Sequence, residues 1–328
     1  MKGSGGREKG DLAVAGSPFA VGPPARPLGL LRRGACLILL IVFPCSRALA
    51  LSSGADFLLE EPAAHSAALA GAYAARDGAL DCLRYNPAGL AGIHGLSLAL
   101  GHDSAAGDWS DEWAGLACPF AGLTLGLEVV VSTLQPFALY DSSGNAVGNA
   151  DAGNQNLALA AAGALEPWLH AGADLRYFRS QLYDYNNQGY AFDLGLRLGR
   201  PGWPLALGVA MQNFGTESAY IAVADPLPVC LRAGVESDWG LDSELALHPS
   251  ADLLMFQDPE RPLELRGGLE ATLFQYAVIR VGLQKAGELQ AFSGGLGVLW
   301  GNYRLDYAYL PDQGLGATQM IELTLAGR

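Results

Sequence analysis

The sequence predicts an all-β protein, a fourteen-stranded antiparallel transmembrane β-barrel entered by a short N-terminal helical plug. Three observations predict it. After Ile93 the chain becomes a succession of fourteen segments in which apolar and polar residues alternate, the mark of strands with one apolar face. Most are close to the roughly 9 to 11 residues that a tilted membrane-spanning strand needs. Their connections alternate long and short, as in barrels with tight turns at one rim and longer loops at the other.

Taken in chain order, residues 1–50 read as a signal peptide. Gly34 to Phe43 is apolar, follows Arg32 and Arg33, and leads to Ala48-Leu49-Ala50, so cleavage is expected after Ala50. The chain beyond Ala50 holds 13 basic against 31 acidic residues, with Lys285 the only lysine. Such a surface repels nucleic acid. Cys82, Cys118 and Cys230 form no CxxC pair and read as small buried thiols, with a Cys82–Cys230 bridge as the alternative.

Residues 51–93 show no period-2 pattern and read as the plug. Within them Asn86-Pro-Ala-Gly89 predicts a capped helical turn. Asn is a favoured cap, Pro a favoured first helical residue, and Pro87 keeps Asn86 extended. A plug entered this way leaves the N-terminus on the short-turn side.

Residues 94–328 read as the barrel, with strands near 95–102, 112–119, 122–131, 155–165, 168–179, 189–199 and 204–213. The second seven lie near 228–237, 242–248, 262–273, 276–285, 289–299, 302–310 and 316–326. The clearest runs from Leu263 to Leu273, with Leu265, Gly267, Leu269 and Ala271 on one face and Glu264, Arg266 and Glu270 on the other. Long loops are expected at 103–111, 132–154, 180–188, 214–227 and 249–261, with 141–151 an acidic surface loop. Trp113, Trp168, Trp203, Trp239 and Trp300 fall at predicted strand ends, where a membrane interface holds amphipathic rings. No repeat of about 40 to 50 residues suggests a propeller.

The polar faces share one parity. Asp174, Arg176, Asp193, Arg197, Arg232, Glu236, Glu244, Glu264, Arg266, Glu270, Arg280, Arg304, Asp306 and Glu322 are therefore expected to face the lumen, where opposite charges on neighbouring strands pair. No metal, cofactor or catalytic constellation is expected: His65, His94, His102, His170 and His248 are scattered, and no nucleophile sits beside a base.

The motifs carry a resemblance. Ala55-Asp-Phe-Leu58, Ser66 to Ala75, Asp77, Ala79 and Asn86 to Ala91 resemble the N-terminal signature of the PorV/PorQ-like outer-membrane proteins, relatives of the FadL-type fatty-acid transporters. Leu305 to Tyr309 and Asp312 to Gly316 resemble the family's closing hairpin. The resemblance implies an outer-membrane barrel in contact with lipid, in which Asn86, Pro87, Ala88 and Gly89 form the plug motif. It implies two functions. One is a scaffold serving secreted proteins or a secretion complex; the other is passage of small hydrophobic molecules. The shortness of the chain after the signal peptide leaves little for outer loops and orders the scaffold first.

Overall fold

A computed structural model describes residues 54–105, 108–199, 202–312 and 316–327. The expected signal peptide and its cleavage site lie outside them. Fifteen strands form one antiparallel sheet: β1 Ser97–Ser104, β2 Trp109–Phe120, β3 Leu123–Tyr140, β4 Ala146–Glu166, β5 Leu169–Leu182, β6 Tyr185–Gly199, β7 Leu205–Glu217 and β8 Cys230–Ser237. The others are β9 Trp239–Gly240, β10 Leu245–Phe256, β11 Glu264–Leu273, β12 Ala277–Ala286, β13 Leu289–Trp300, β14 Tyr303–Asp312 and β15 Gly316–Ala326. The two-residue β9 only borders β10; the other fourteen make the barrel. Every neighbour in sequence pairs, and β1 pairs with β15 from Ser97↔Ala326 to Ser104↔Gln319, which closes the ring. Closure leaves no strand edge unpaired, the condition for a sheet in lipid.

Alternation orients each strand. On β11 Leu265 and Leu269 face outward, while Glu264, Arg266 and Glu270 are buried inside. Phe120, Trp168, Trp203, Trp239, Tyr276, Trp300 and Tyr303 are exposed along the short-turn rim and form an aromatic girdle.

The structure corrects several expectations. Four of the five expected long loops are largely strand. β3 and β4 run to 18 and 21 residues and meet in a tip where Asp141 Oδ1 accepts from Ser143 and Asn145 N–H at 2.8 and 2.9 Å. β5 and β6 meet across Tyr183 and Asp184, and β10 continues through Pro249 to Phe256. Beyond the membrane both faces of a strand meet water, so the alternation that identifies strands fades there. Trp113 is buried inside the wall, because its parity on β2 is inward and Gly101 opposite leaves room: a Cβ there would sit 1.9 Å from the indole nitrogen. Cys118, at the other parity, is exposed; Cys82 and Cys230 are buried and free. Glu244 stands exposed in the turn before β10 instead of facing the lumen.

The plug contains α1 (Ala64–Ala67), α2 (Cys82–Tyr85) and 3-10 turns at Asp56–Leu59 and Pro87–Gly92. Its course reverses the expected entry. Gly54 N–H donates to Pro226 O at 2.9 Å in the β7–β8 connection, at the long-hairpin mouth. At the other end Thr124 Oγ1 donates to Ile93 O at 3.3 Å beside the β2–β3 turn. The segment thus crosses the whole lumen before β1 begins, and Gly54 lies at the mouth opposite the short turns.

The outward parity carries a test. Val281, exposed and paired with Leu269 midway along β12, should tolerate arginine poorly, with a cost of about 2–4 kcal/mol at the membrane midplane. Leu265→Arg, beside Lys285 near the rim, should cost about 1 kcal/mol or less. Urea titration of the folded barrel in lipid vesicles measures both; equal costs would contradict the placement.

Candidate functional site

The centre of the lumen is an ion lattice shared by plug and wall. Glu270 of β11 accepts from Arg76 Nη2 of the plug at 2.7 Å and from Arg280 Nε of β12 at 2.6 Å. Its Oε2 also lies 2.9 Å from His65 Nε2 of α1. Arg280 reaches Asp306 at 2.7 Å, Arg304 reaches the same carboxylate at 2.5 Å, and Arg304 continues to Glu322 at 3.1 Å. Glu322 then accepts the backbone N–H of His65 at 3.2 Å, so the chain of charges returns to the plug. Arg76 also pairs with Glu236, and Arg266 with Glu61 of the plug and with Glu264 beside it.

Two further anchors use backbone groups. Asp252 of β10 accepts the N–H of Tyr73 and Ala74 at 3.0 Å each, and Arg232 donates to Asp252 at 2.9 Å and to Gly71 O at 2.8 Å. Arg197 donates to Ala75 O at 2.8 Å and pairs with Asp77 at 3.0 Å. Asp174, Arg176 and Asp193 form a separate buried group on β5 and β6, with Arg176 at 3.8 and 3.3 Å from the two carboxylates and, among the described residues, no ion pair to the plug. A buried charge stripped of its partner costs several kcal/mol, so each pairing holds the plug in register.

The Asn86-Pro-Ala-Gly89 turn is seated on the wall. Asn86 is fully buried. Its Oδ1 accepts from Ala88 N–H at 3.2 Å, which is the cap expected from the sequence. Its amide goes further and donates to Ala74 O at 2.7 Å and to Leu196 O of β6 at 3.0 Å. The wall opposite is glycine, by necessity. A Cβ on Gly172 would lie 2.5 Å from the backbone of Pro87 and Ala88, and one on Gly208 would lie 1.9 Å from Ala74 O.

Sequence reasoning missed the plug's half of these contacts. His65, Arg76 and Glu61 lie in a segment without periodicity, and no spacing marks them. His65 is the least expected. Its Nδ1 lies 2.9 Å from Tyr73 Oη and its Nε2 faces Glu270, a pattern that suits a neutral ring accepting from tyrosine and donating to glutamate. Burial, together with the positive charges of Arg280 and Arg304, pushes its pKa down to about 4.

At the long-hairpin mouth lies an open cavity of about 430 Å³, with Leu59, Trp109, Leu310 and Met320 as its apolar lining. Beside it a chamber of about 10 Å³, room for one water, is lined by Phe57, Val130, Arg84 and Asn156. Both chambers touch Glu60 and Asp111.

No family model matches the chain, and no curated protein matches it by sequence. Solved structures match its fold over nearly their whole lengths. The toluene transporter TbuX of Ralstonia pickettii aligns with TM-score 0.60 and 14% identity, over 83% of this chain and 100% of that one. The monoaromatic hydrocarbon channel CymD aligns with TM-score 0.58 and 13% identity, over 80% and 96%. A FadL homologue of Pseudomonas aeruginosa aligns with TM-score 0.51 and 11% identity, over 80% and 98%. At these identities the likeness is one of fold: a closed fourteen-stranded antiparallel barrel like theirs.

Two predictions test the seat. Asn86→Ala leaves the buried Ala74 carbonyl without its donor, at a cost of about 1–3 kcal/mol, and removes the bond to the wall at Leu196 O, while Gly208→Leu forces Ala74 off the wall. Both should raise small-ion conductance in planar bilayers while the barrel stays folded; conductance equal to wild type would refute the seating. The second concerns pH. A histidine held neutral below its free value near 6.5 favours the seated plug above that pH and opposes it as pH falls toward 4. Protease protection of the plug should hold from pH 8 to about 6.5 and then decline. The decline should be smaller in His65→Gln; identical profiles would exclude His65 as its source.

Proposed function

We propose that this protein is an outer-membrane channel that passes small hydrophobic molecules. The observation that carries the reading is the combination of a lumen blocked by a bonded plug and a cavity at the mouth away from the short turns, in which Leu59, Trp109, Leu310 and Met320 offer an apolar wall beside charged groups. Short turns face the periplasm in such barrels, so the cavity faces outward. Its roughly 430 Å³ falls in the range of small-molecule sites. A void of about 150 Å³ already holds a single aromatic ring. A water-filled pore would need neither feature.

The fold likeness supports this reading over the secretion scaffold that chain length places first. TbuX is a toluene transporter and CymD a monoaromatic hydrocarbon channel, and the fold of this chain matches nearly the whole length of both. In this reading the chain is exported with cleavage after Ala50, sits in outer-membrane lipid and carries no enzymatic activity. The plug motif Asn86 to Gly89 and the lumen charges are the closure, and movement of the plug opens the path.

The test is uptake by Gram-negative cells that lack a hydrocarbon channel. Cells displaying the assembled barrel should take up radiolabelled ethylbenzene several-fold faster than cells with an empty vector. Equal rates, with the barrel shown to be folded by its heat-shifted mobility, would contradict the proposal.

A further inference from the structure

The mouth cavity is charged as well as apolar, and its charges do not cancel. Six carboxylates line it, against two arginines. Arg266 is already committed to Glu61 and Glu264, and Arg261 to Asp56 at 3.0 Å. Glu60, Asp103 and Asp111 remain, and none of the three takes part in an ion pair among the described residues. Asp103 and Asp111 stand directly opposite each other on β1 and β2, are 3% and 7% exposed, and are joined by Asp111 N–H donating to Asp103 Oδ1 at 3.0 Å. Two neighbouring carboxylates and a third across the cavity, with no cation, make a field that repels anions and is relieved by a positive charge.

A second, independent feature points into the same place. Asn156 of β4 is 5% exposed, and neither its carbonyl oxygen nor its amide nitrogen has a hydrogen-bond partner. It lines the narrow chamber that shares Glu60 and Asp111 with the mouth cavity. A buried amide left wholly unbonded is costly, and a polar group entering from the cavity would satisfy it. Arg84 also lines this chamber, but Glu128 lies 3.6 Å from its Nε and answers its charge. The surplus in the combined site stays negative. Trp109, on the wall of the cavity, adds an aromatic face of the kind cations favour.

We propose that the mouth cavity selects small hydrophobic molecules with a cationic head, a protonated amine on a one-ring body, and turns away the matching carboxylates. The ring lies against Leu59, Leu310 and Met320, the ammonium lies by Asp103 and Asp111, and Asn156 offers its carbonyl as a further acceptor. This rests on the transport reading and narrows it: fatty-acid-like anions are disfavoured substrates at this mouth.

Calorimetric titration of the full chain in detergent at pH 7.5 tests the proposal with three probes of one shape. These are 2-phenylethylamine, 3-phenylpropionate and ethylbenzene. The amine should bind about tenfold or more tighter than the carboxylate. Replacing Asp103 and Asp111 by Asn should remove most of that preference and leave ethylbenzene unchanged. Glu60→Gln, at the exposed rim where folding is not at stake, should lower it in part. A carboxylate that binds as tightly as the amine, or a preference untouched by both variants, would overturn the proposal. The two readings fail separately. Loss of the charge ordering with ethylbenzene uptake intact sinks only the selectivity. Charge-ordered binding without uptake sinks transport and leaves the site standing.

Discussion

Glu270 joins the two parts of this molecule. One carboxylate, projecting from the middle of β11, takes a guanidinium from the plug, a guanidinium from the wall, and the ring of His65. The inward face of the wall around it is charged, with Arg280, Arg304, Asp306 and Glu322 as neighbours. The wall of β1 to β4 offers an apolar stretch instead, and there Leu69, Tyr73, Leu80, Leu83, Leu90 and Ile93 of the plug pack in one buried cluster with Ala99, Trp113, Val130, Ala158 and Ala160. On the charged side the plug completes the wall's ion pairs, and each completed pair makes withdrawal more costly. Fit is thus set by volume on one side and by charge on the other, with glycine at Gly172 and Gly208 where the plug backbone comes close.

That constraint shapes function. Arg76, His65 and the backbone of Tyr73 and Ala74 are anchored on the β8 to β15 side of the barrel, whereas the Asn86 turn leans on β5 and β6. The plug therefore closes the lumen along its length, from Gly54 at one mouth to Ile93 at the other. Space large enough for a small molecule lies at the long-hairpin mouth, ahead of this closure. In the proposed channel, capture is separate from passage: the cavity would decide what is held, and the lattice when the way is clear.

Much of the barrel was legible in the sequence because a strand with lipid on one side must alternate. Leu265, Leu269, Glu264 and Glu270 announce their faces by parity alone. So do Arg280, Arg304 and Asp306, and parity also explains why Trp113 lies inside although it stands near an expected strand end. The signal fails where its cause is absent. Ser132 to Asn154 reads as a loop, yet it continues β3 and β4 beyond the membrane, where water on both faces removes the alternation. Glu244 follows the parity of a strand that in fact begins one residue later. The plug's partners carried no signal at all. Asn86-Pro87 revealed a local turn, since capping is local chemistry, but the bonds from Asn86 to Ala74 and Leu196 and those of His65 to Glu270 and Tyr73 depend on distant chain brought together by the ring. The Asp103–Asp111 pair was hidden for the same reason: both residues fell in an expected loop, and only the register of β1 with β2 sets them side by side.

The wall's charges retain the plug inside the lumen. Hydrogen exchange on the folded protein in detergent reads this at single amides. The N–H groups of His65, Tyr73 and Ala74 donate to Glu322 and Asp252, which belong to the wall and not to the plug. The structure predicts that these three exchange as slowly as strand amides in β10 and β15, and that Glu270→Gln speeds them while the strand amides stay protected. Exchange of the three amides at the rate of the β3–β4 tip in the wild-type protein would contradict it.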